Sequence, residues 1–290
     1  MAHATVVILE MRWIMLNFNK SQGLGNDFII IDNRDGYFSD LGALAQKLCP
    51  RAISVGADTL LVIENSETCA LKMRTINADG SEAQMCGNGI RCFAKYAYER
   101  GLVSTDKFSI ETKAGIITPK LNISNGLIES VTIDMGAPLF ERSAVPMKGD
   151  GRFIDGELVA DGKSYVASSI FMSIPHTIVF ADDPYAIDIA SVGPAIERHK
   201  LYPEGTNVNF VKIIDRNTMQ SRPWERGCGA TLACGTGACA AAVVGFVTGR
   251  TERNVEVKMA LGSLFIDYRT DGRVYMTGPA VSVYDGKIDI

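Results

Sequence analysis

Short runs of β-branched and aromatic residues recur along most of this chain, separated by glycine, proline, asparagine and aspartate. Such runs between turn-forming residues are typical of β-strands. We therefore predict strands at Phe28–Asp32, Leu60–Ile63, Leu71–Ile76, Phe108–Thr112, Val131–Met135, Thr177–Phe180, Phe210–Ile214, Val255–Met259, Leu264–Tyr268 and Val274–Met276. A chain with this pattern has a core made chiefly by sheets.

Helical patterning is confined to a few segments. Asp40–Leu48 and Asp188–Arg198 are predicted helices, with Ser39 and Asp188 as capping-type residues near their starts. Two more helices are predicted behind a repeated cysteine phrase described below. The order strands, helix, strands occurs twice, which indicates two α+β halves. The Gly- and Asp-rich stretch Ser143–Lys163 is predicted to be an irregular excursion.

One phrase occurs twice, half a chain apart: Cys86-Gly87-Asn88-Gly89 and Cys234-Gly235-Thr236-Gly237. Helices are predicted over Ile90–Arg100 and Ala238–Thr248, because helix formers follow each phrase and a glycine stops each run. Each cysteine then lies at a helix N-terminus. The N–H groups and the helix dipole there are expected to lower the thiol pKa from about 8.5 toward neutrality, and to hold a carboxylate.

A duplicated fold that turns the two phrases toward each other would place a substrate carboxylate between two thiols. That arrangement suits removing a proton from one face of a carbon and returning a proton to the other face. Glu225 and Arg226 are adjacent, and their opposite charges suit the ammonium and carboxylate ends of an amino acid.

The length and net charge of the chain exclude some other classes of function. Its 290 residues fit two domains of ordinary size, and its formal charge of −4 gives no basic surplus for nucleic acid. The apolar stretch Thr5–Leu9 is interrupted by Glu10 and Arg12, so we expect neither a signal peptide nor a membrane span. Seven cysteines are an odd number without a dense disulfide framework, which indicates the cytoplasm.

The remaining cysteines have ordinary interpretations. Four of them are read as small core hydrophobes: Cys49, Cys69, Cys92 and Cys239. The spacing of Cys228, Cys234 and Cys239 has no CxxC pair, and the chain has three histidines, so no metal site is predicted.

Several long motifs together resemble the diaminopimelate epimerase family, from about Phe18 to Asp285. They are the two cysteine phrases, Gly23-Leu24-Gly25-Asn26-Asp27-Phe28, Asn77-Ala78-Asp79-Gly80-Ser81-Glu82 and Glu225-Arg226-Gly227. The resemblance implies an isomerase that interconverts LL- and meso-diaminopimelate without pyridoxal phosphate or any other cofactor. It places this reaction in lysine and peptidoglycan precursor biosynthesis.

The resemblance also implies the fold class, α+β, with two pseudo-symmetric domains that each roll a mixed sheet around a central helix. Residues 1–130 plus 279–290 are expected to form the N-terminal epimerase domain, which carries Cys86. Residues 131–278 are expected to form the C-terminal epimerase domain, which carries Cys234. The C-terminal strand thus returns to the first domain.

Residue roles follow from the same resemblance. Cys86 and Cys234 are implied as acid and base, and Glu225 and His176 match positions that support the chemistry. The substrate contacts are implied to come from Asn26, Asn77, Gly87, Asn88, Asn207, Arg226, Gly235 and Thr236. The expected partner is a small amino acid, not nucleic acid or a membrane, and a homodimer stays open.

Two positions depart from the family pattern. Ile174 stands in Ser173-Ile174-Pro175-His176 where the family usually has Gly-Asn-Pro-His, and Thr59 follows Gly56-Ala57-Asp58 where Gln or Gly is usual. A cofactor-independent racemase of another amino acid on the same fold is therefore an alternative. A thiol redox switch that joins Cys86 to Cys234 is an alternative of a different class.

Overall fold

The computed structural model describes residues 15–290. Strands form most of this part, in agreement with the hydrophobic pattern. The strands are β1 (Met15–Gly23), β2 (Asn26–Asp32), β3 (Thr59–Glu64), β4 (Leu71–Asn77), β5 (Ile110–Thr112), β6 (Gly115–Ile117), β7 (Lys120–Ser124), β8 (Leu127–Asp134), β9 (Phe153–Ala160), β10 (Lys163–Met172), β11 (Ile174–Phe180), β12 (Asn207–Asp215), β13 (Thr218–Glu225), β14 (Gly229–Ala230), β15 (Asn254–Met259), β16 (Gly262–Tyr268), β17 (Val274–Gly278) and β18 (Val281–Asp289). The helices are α1 (Leu41–Leu48), α2 (Gly87–Glu99), α3 (Ile189–Glu197) and α4 (Gly235–Val247).

These strands form two mixed sheets. The first has seven strands in the order β18-β1-β2-β3-β4-β5-β6, with β2 and β3 parallel and β1 antiparallel to both of its neighbours. The second has eleven strands, in the order β7-β8-β17-β16-β15-β13-β12-β11-β10-β9, with β14 beside β13. The last strand, β18, returns to the first sheet. The second sheet begins with β7 at Lys120, which precedes the expected domain boundary at residue 130.

A central helix packs on each sheet. Helix α4 is apolar on every side, and all of its residues from Gly237 to Gly245 are buried, because β10, β11, β12 and β15–β17 surround it. Helix α2 packs on β1, β2, β8 and β18, with Ile90 and Phe93 buried and Glu99 exposed. Side chains from both helices belong to one continuous hydrophobic core, so the two sheets are packed together through it.

Most of the predicted elements are confirmed. Each predicted strand overlaps an observed one, and all four helices are present. The prediction of an irregular excursion over Ser143–Lys163 is wrong for the second half of that stretch, because β9 forms there. Strand β9 pairs with β10 through backbone hydrogen bonds, which Gly and Asp can also make. The α1 cap is Asp40, whose carboxylate accepts from Ala43 N–H at 2.9 Å, and not Ser39. Asp188 precedes α3 without a side-chain capping bond.

The stretch Thr5–Leu9 lies outside the described residues. From residue 15 onward, the helices are all too short or too polar to cross a membrane.

Candidate active site

The two cysteines of the repeated phrase occupy equivalent positions. Cys86 is the N-cap of α2 (φ −131°, ψ 116°), and Cys234 is the N-cap of α4 (φ −129°, ψ 112°). Each Sγ accepts a hydrogen bond from the N–H three residues later, that of Gly89 or Gly237, at 3.4 Å. The predicted placement of both thiols at helix N-termini is therefore confirmed, and the matching backbone angles indicate a duplicated structural unit.

The two helix N-termini approach each other at the junction of the sheets. A Cβ built on Gly87 would lie 3.2 Å from Met276 Cε, and one built on Gly235 would lie 3.1 Å from Met276 Sδ. The second of these would also lie 3.7 Å from Asn88 Oδ1. Met276 thus lies between the two cysteine phrases, and a side chain in place of either glycine would press closely on it.

These helix ends supply donors for an anion. Helix geometry leaves the first N–H groups of each helix without an intrahelical acceptor, and here these belong to Gly87, Asn88, Gly235 and Thr236. Two helix dipoles also direct their positive ends to this region. A carboxylate can therefore be bound by both halves of the protein at once.

The expected lowering of the thiol pKa values is wrong for this structure. Burial raises the pKa of Cys86, and the N–H groups of Gly89 and Asn88 offset only part of this effect. Burial raises the pKa of Cys234 well above its usual value, and the negative charge of Glu225 raises it further. Desolvation outweighs the helix terminus because the thiolate loses more hydration than the N–H groups replace.

Glu225 lies beside one thiol and acts on both. It ends β13, and its carboxylate accepts from Thr231 Oγ1 and lies within hydrogen-bond reach of the Cys234 thiol. Burial raises the pKa of Glu225. Its charge also raises the pKa of Cys86. Glu225 is thus a carboxylate next to the Cys234 thiol.

His176 contacts an asparagine side chain on the neighbouring strand β12. It is fully buried, and its Nδ1 accepts from Asn209 Nδ2 at 3.1 Å. Burial lowers the pKa of His176 to about 3, so the imidazole is neutral. Within residues 15–290 neither thiol is its hydrogen-bond partner. Asn209 in turn packs against the first turn of α4, since its Oδ1 would lie 2.2 Å from a Cβ on Gly237.

A hydrogen-bond chain leads from the protein surface to Cys86. Arg51 pairs with Asp58 at 2.6 Å, and Asp58 Oδ2 accepts from Asn26 Nδ2 at 2.8 Å. Because a carboxylate fixes which end of the amide faces it, Asn26 Oδ1 is directed to Cys86 Sγ at 3.5 Å and to Asn88 Nδ2 at 3.3 Å. Asn26 therefore accepts from the Cys86 thiol.

The other predicted substrate contacts are partly engaged with the protein itself. Asn77 Nδ2 donates to Ser81 Oγ at 3.0 Å. Asn207 accepts from the Arg226 N–H at 3.0 Å and donates to the Pro175 carbonyl at 2.8 Å, so it joins the starts of β11 and β12 to the end of β13. The exposed Arg226 guanidinium donates to the Glu204 carbonyl at 2.6 Å, which leaves donors for a carboxylate.

Both departures from the family pattern lie at strand starts near these residues. Ile174 is partly buried at the first position of β11, two residues before His176. Thr59 is buried at the first position of β3, between Phe28 and Asn77 in the sheet. Ile174 therefore stands where the family usually has an amide, and Thr59 stands where it has Gln or Gly.

Three contributing residues were missed from the sequence. Asn209 orients His176, Thr231 binds Glu225, and Met276 separates the helix ends. The one usable signal was the alternation Asn207-Val208-Asn209, which places both amides on the same face of β12. In the described part of the chain no group of three or more His, Cys, Asp or Glu side chains is placed to hold a metal ion.

Solved structures share this architecture at low sequence identity. A hydroxyproline epimerase from Agrobacterium vitis aligns with TM-score 0.69 and 13% identity, over 97% of this chain and 93% of its own. A probable proline racemase from Agrobacterium radiobacter K84 aligns with TM-score 0.68 and 12% identity, over 94% and 92%. The expected α+β fold is confirmed as the one that these epimerase and racemase structures have.

Sequence comparisons are more specific. The family model described as diaminopimelate epimerase matches residues 18–141 and 168–283. The diaminopimelate epimerase of Caldanaerobacter subterraneus subsp. tengcongensis is 49% identical over 276 residues, which cover 95% of this chain and all of the relative. That of Moorella thermoacetica is 45% identical over 93% of this chain and 98% of its own. The chain belongs to the diaminopimelate epimerase family.

Proposed function

We propose that this protein is an isomerase that interconverts LL- and meso-diaminopimelate in lysine and peptidoglycan precursor biosynthesis. One cysteine, as thiolate, takes the proton from the α-carbon, and the C–H electron pair passes toward the carboxylate. The thiol of the other cysteine gives its proton to the opposite face, and the reverse reaction exchanges the two roles. The two thiols supply both transfers, so the proposal includes no pyridoxal phosphate.

The weak acidity of the α-carbon is the chemical difficulty. Charge that develops on the carboxylate is stabilised by fixed N–H dipoles at the N-termini of α2 and α4. Burial strengthens those interactions by excluding water, and closure of the two halves on the substrate completes the site. Asn26, Asn77, Asn207 and Arg226 bind the distal amino acid group in this proposal.

One observation carries this assignment: two cysteines with nearly identical N-cap geometry head two helices that converge on Met276. A single acid–base thiol would not require the second copy. Incubation of LL-diaminopimelate with the protein should yield meso-diaminopimelate, separated by chiral chromatography, until the two isomers reach equilibrium. Absence of the meso isomer, with the folded protein at high concentration, would refute the assignment.

The cytoplasm is the proposed compartment, since all seven cysteines are free thiols. The proposed partner is a small amino acid, and a homodimer remains a prediction. We also propose that the chain divides into an N-terminal domain completed by β18 and a C-terminal domain, each carrying one of the two N-cap cysteines.

A racemase of another amino acid is the second candidate, because an aliphatic side chain stands at Ile174. If diaminopimelate is the substrate, Ile174→Asn should lower KM about tenfold, the equivalent of one hydrogen bond of roughly 1.4 kcal/mol, with little change in kcat. Steady-state kinetics on LL-diaminopimelate measure this, with Ile174→Leu as the apolar control. A rise in KM for Ile174→Asn would favour the second candidate.

The third candidate, a thiol redox switch, makes a separate prediction. Mild oxidation should join Cys86 to Cys234 and stop activity, and a thiol reductant should restore it, because the two N-caps face one site. Peptide mapping identifies the linked cysteines, and Cys86→Ser provides a control that cannot form the bond. Oxidised, inactive protein with both cysteines free would count against this prediction. A disulfide in a protein that never epimerises an amino acid would support the switch.

A further inference from the structure

Asp58 lies directly before β3, and its two carboxylate oxygens accept from three donors. Its Oδ2 accepts from Asn26 Nδ2 at 2.8 Å and from the Asp27 N–H at 3.1 Å. Its Oδ1 accepts from Arg51 Nη2 at 2.6 Å. The proposed reaction gives this carboxylate no part, although one of its three donors belongs to the side chain that contacts Cys86.

Asp27 holds Asp58 in place. The Asp58 N–H donates to Asp27 Oδ1 and to the Asp27 carbonyl, each at 3.1 Å. Asp27 itself pairs with Arg51 at 2.7 Å and with Lys20 at 2.6 Å. The backbone N–H of each aspartate is thus bound by the carboxylate of the other. This reciprocal pair fixes the Oδ2 atom of Asp58 toward Asn26.

The carboxylate decides the orientation of the Asn26 amide. An ionised carboxylate only accepts hydrogen bonds, so Asn26 must present its Nδ2 to Asp58. Its Oδ1 then faces the other way, where it lies 3.5 Å from Cys86 Sγ and 3.3 Å from Asn88 Nδ2. If the amide were turned over, its Nδ2 would face the sulfur and would donate to it.

We propose that Asp58 is a positioning residue that sets which atom of the Asn26 amide faces the Cys86 thiol. An oxygen in that place accepts from the S–H and stabilises the protonated thiol. An N–H in that place would donate to the sulfur and stabilise the thiolate. This relation between three side chains holds in the substrate-free protein and does not depend on the proposed function.

A consequence for the reaction rests on the proposed function. Once Cys86 has lost its proton, Asn26 Oδ1 no longer accepts from it and has a lone pair for a substrate ammonium. An N–H in that place would repel the ammonium. Asp58→Ala should therefore raise KM for LL-diaminopimelate about tenfold, the equivalent of one hydrogen bond, while Asp58→Asn should leave KM within about twofold. Steady-state kinetics measure both values.

These two variants separate the charge of Asp58 from its hydrogen bond to Asn26, because both remove the negative charge. In Asp58→Asn the amide oxygen stays on the Asn26 side, where the Asp27 N–H is a second, fixed donor. Arg51 is an exposed side chain that keeps its pairing with Asp27. In Asp58→Ala water takes the place of the carboxylate. Water both donates and accepts, so the Asn26 amide can turn over.

The decisive test compares the two variants without substrate. Iodoacetamide labelling of each cysteine is followed across pH by peptide mapping. The pH midpoint for Cys86 should be about one unit lower in Asp58→Ala than in Asp58→Asn, equivalent to a tenfold larger thiolate fraction, while the Cys234 midpoints agree. The other ionisable groups that act on Cys86, Arg91 on α2 and Glu225 on β13, are the same in both variants.

Asp32→Ala is the matched control. Asp32 ends β2 and pairs with Arg34 at 2.7 Å, so loss of its charge should leave the Cys86 midpoint unchanged. Asp58→Ser, whose hydroxyl both donates and accepts, provides the same comparison if Asp58→Ala does not fold.

A Cys86 midpoint in folded Asp58→Ala equal to or above that in Asp58→Asn would overturn the proposal. The labelling uses no substrate, so it is independent of whether the protein acts on diaminopimelate. A protein that shows the midpoint difference but never converts LL-diaminopimelate would refute the assigned reaction and support the role of Asp58.

Discussion

Replacement of either cysteine by alanine should reduce epimerisation by at least about 10³-fold while the protein remains folded. Cys86 and Cys234 each serve one face of the α-carbon, so neither can substitute for the other. Each variant also loses an N-cap hydrogen bond to Gly89 or Gly237, which should cost about 1 kcal/mol of stability. Initial rates and thermal unfolding measure the two effects separately.

Matched variants separate chemistry from structure. Cys49→Ala removes a buried thiol that packs with α1, away from the helix junction, and should leave kcat unchanged. Cys86→Ser and Cys234→Ser keep a capping oxygen and should retain a trace of activity, because an alcohol is a much weaker acid than a thiol. Wild-type turnover by either alanine variant would refute the two-thiol mechanism.

The second large effect is expected for Glu225→Gln, which should lower kcat about 100-fold. Glutamine keeps an oxygen that can accept from Thr231, but it cannot take a proton from Cys234. The same change removes the negative charge that raises the pKa of Cys234, so the pH midpoint for iodoacetamide labelling of Cys234, followed by peptide mapping, should fall. We therefore expect a lower kcat in the kinetics together with a lower pKa of Cys234 in the labelling experiment.

Glu197→Gln is the control for this variant. Glu197 binds Trp224 Nε1 at 2.7 Å and the Gly227 N–H at 3.2 Å, so it is a neighbouring carboxylate engaged in holding the β13–β14 turn. Its replacement should change stability and leave kcat within about twofold. An unchanged kcat in a folded Glu225→Gln variant would show that Glu225, like Glu197, serves the structure and not the proton transfer.

The sequence pattern predicted ten strands that overlap observed ones, and it predicted all four helices. It missed β1, β10 and β13, although each of them buries apolar residues. It missed strands that alternate weakly or lie in solvent, such as β9 and β18, because their order comes from pairing with β10 and β1 and not from their own composition. Strand β18 is largely exposed.

The site was predictable where local structure decides it. A cysteine followed by glycines and helix formers specifies an N-cap, and both thiols are N-caps. Quantities set by tertiary burial were not predictable. The raised pKa values of the thiols, the neutral His176 and the buried Arg91 all depend on which elements pack over them. A window of sequence carries no such information.

The origin of the hydrogen at the inverted carbon tests the two-thiol reaction. LL-diaminopimelate should be incubated with the protein in deuterated water, and both isomers analysed by mass spectrometry at low conversion. We expect the meso product to carry one deuterium at the inverted α-carbon while the remaining LL substrate carries almost none, because a second, solvent-exchanged thiol delivers the proton. Meso product that retains the original hydrogen, or no deuterium in any isomer, would contradict proton transfer between two thiols.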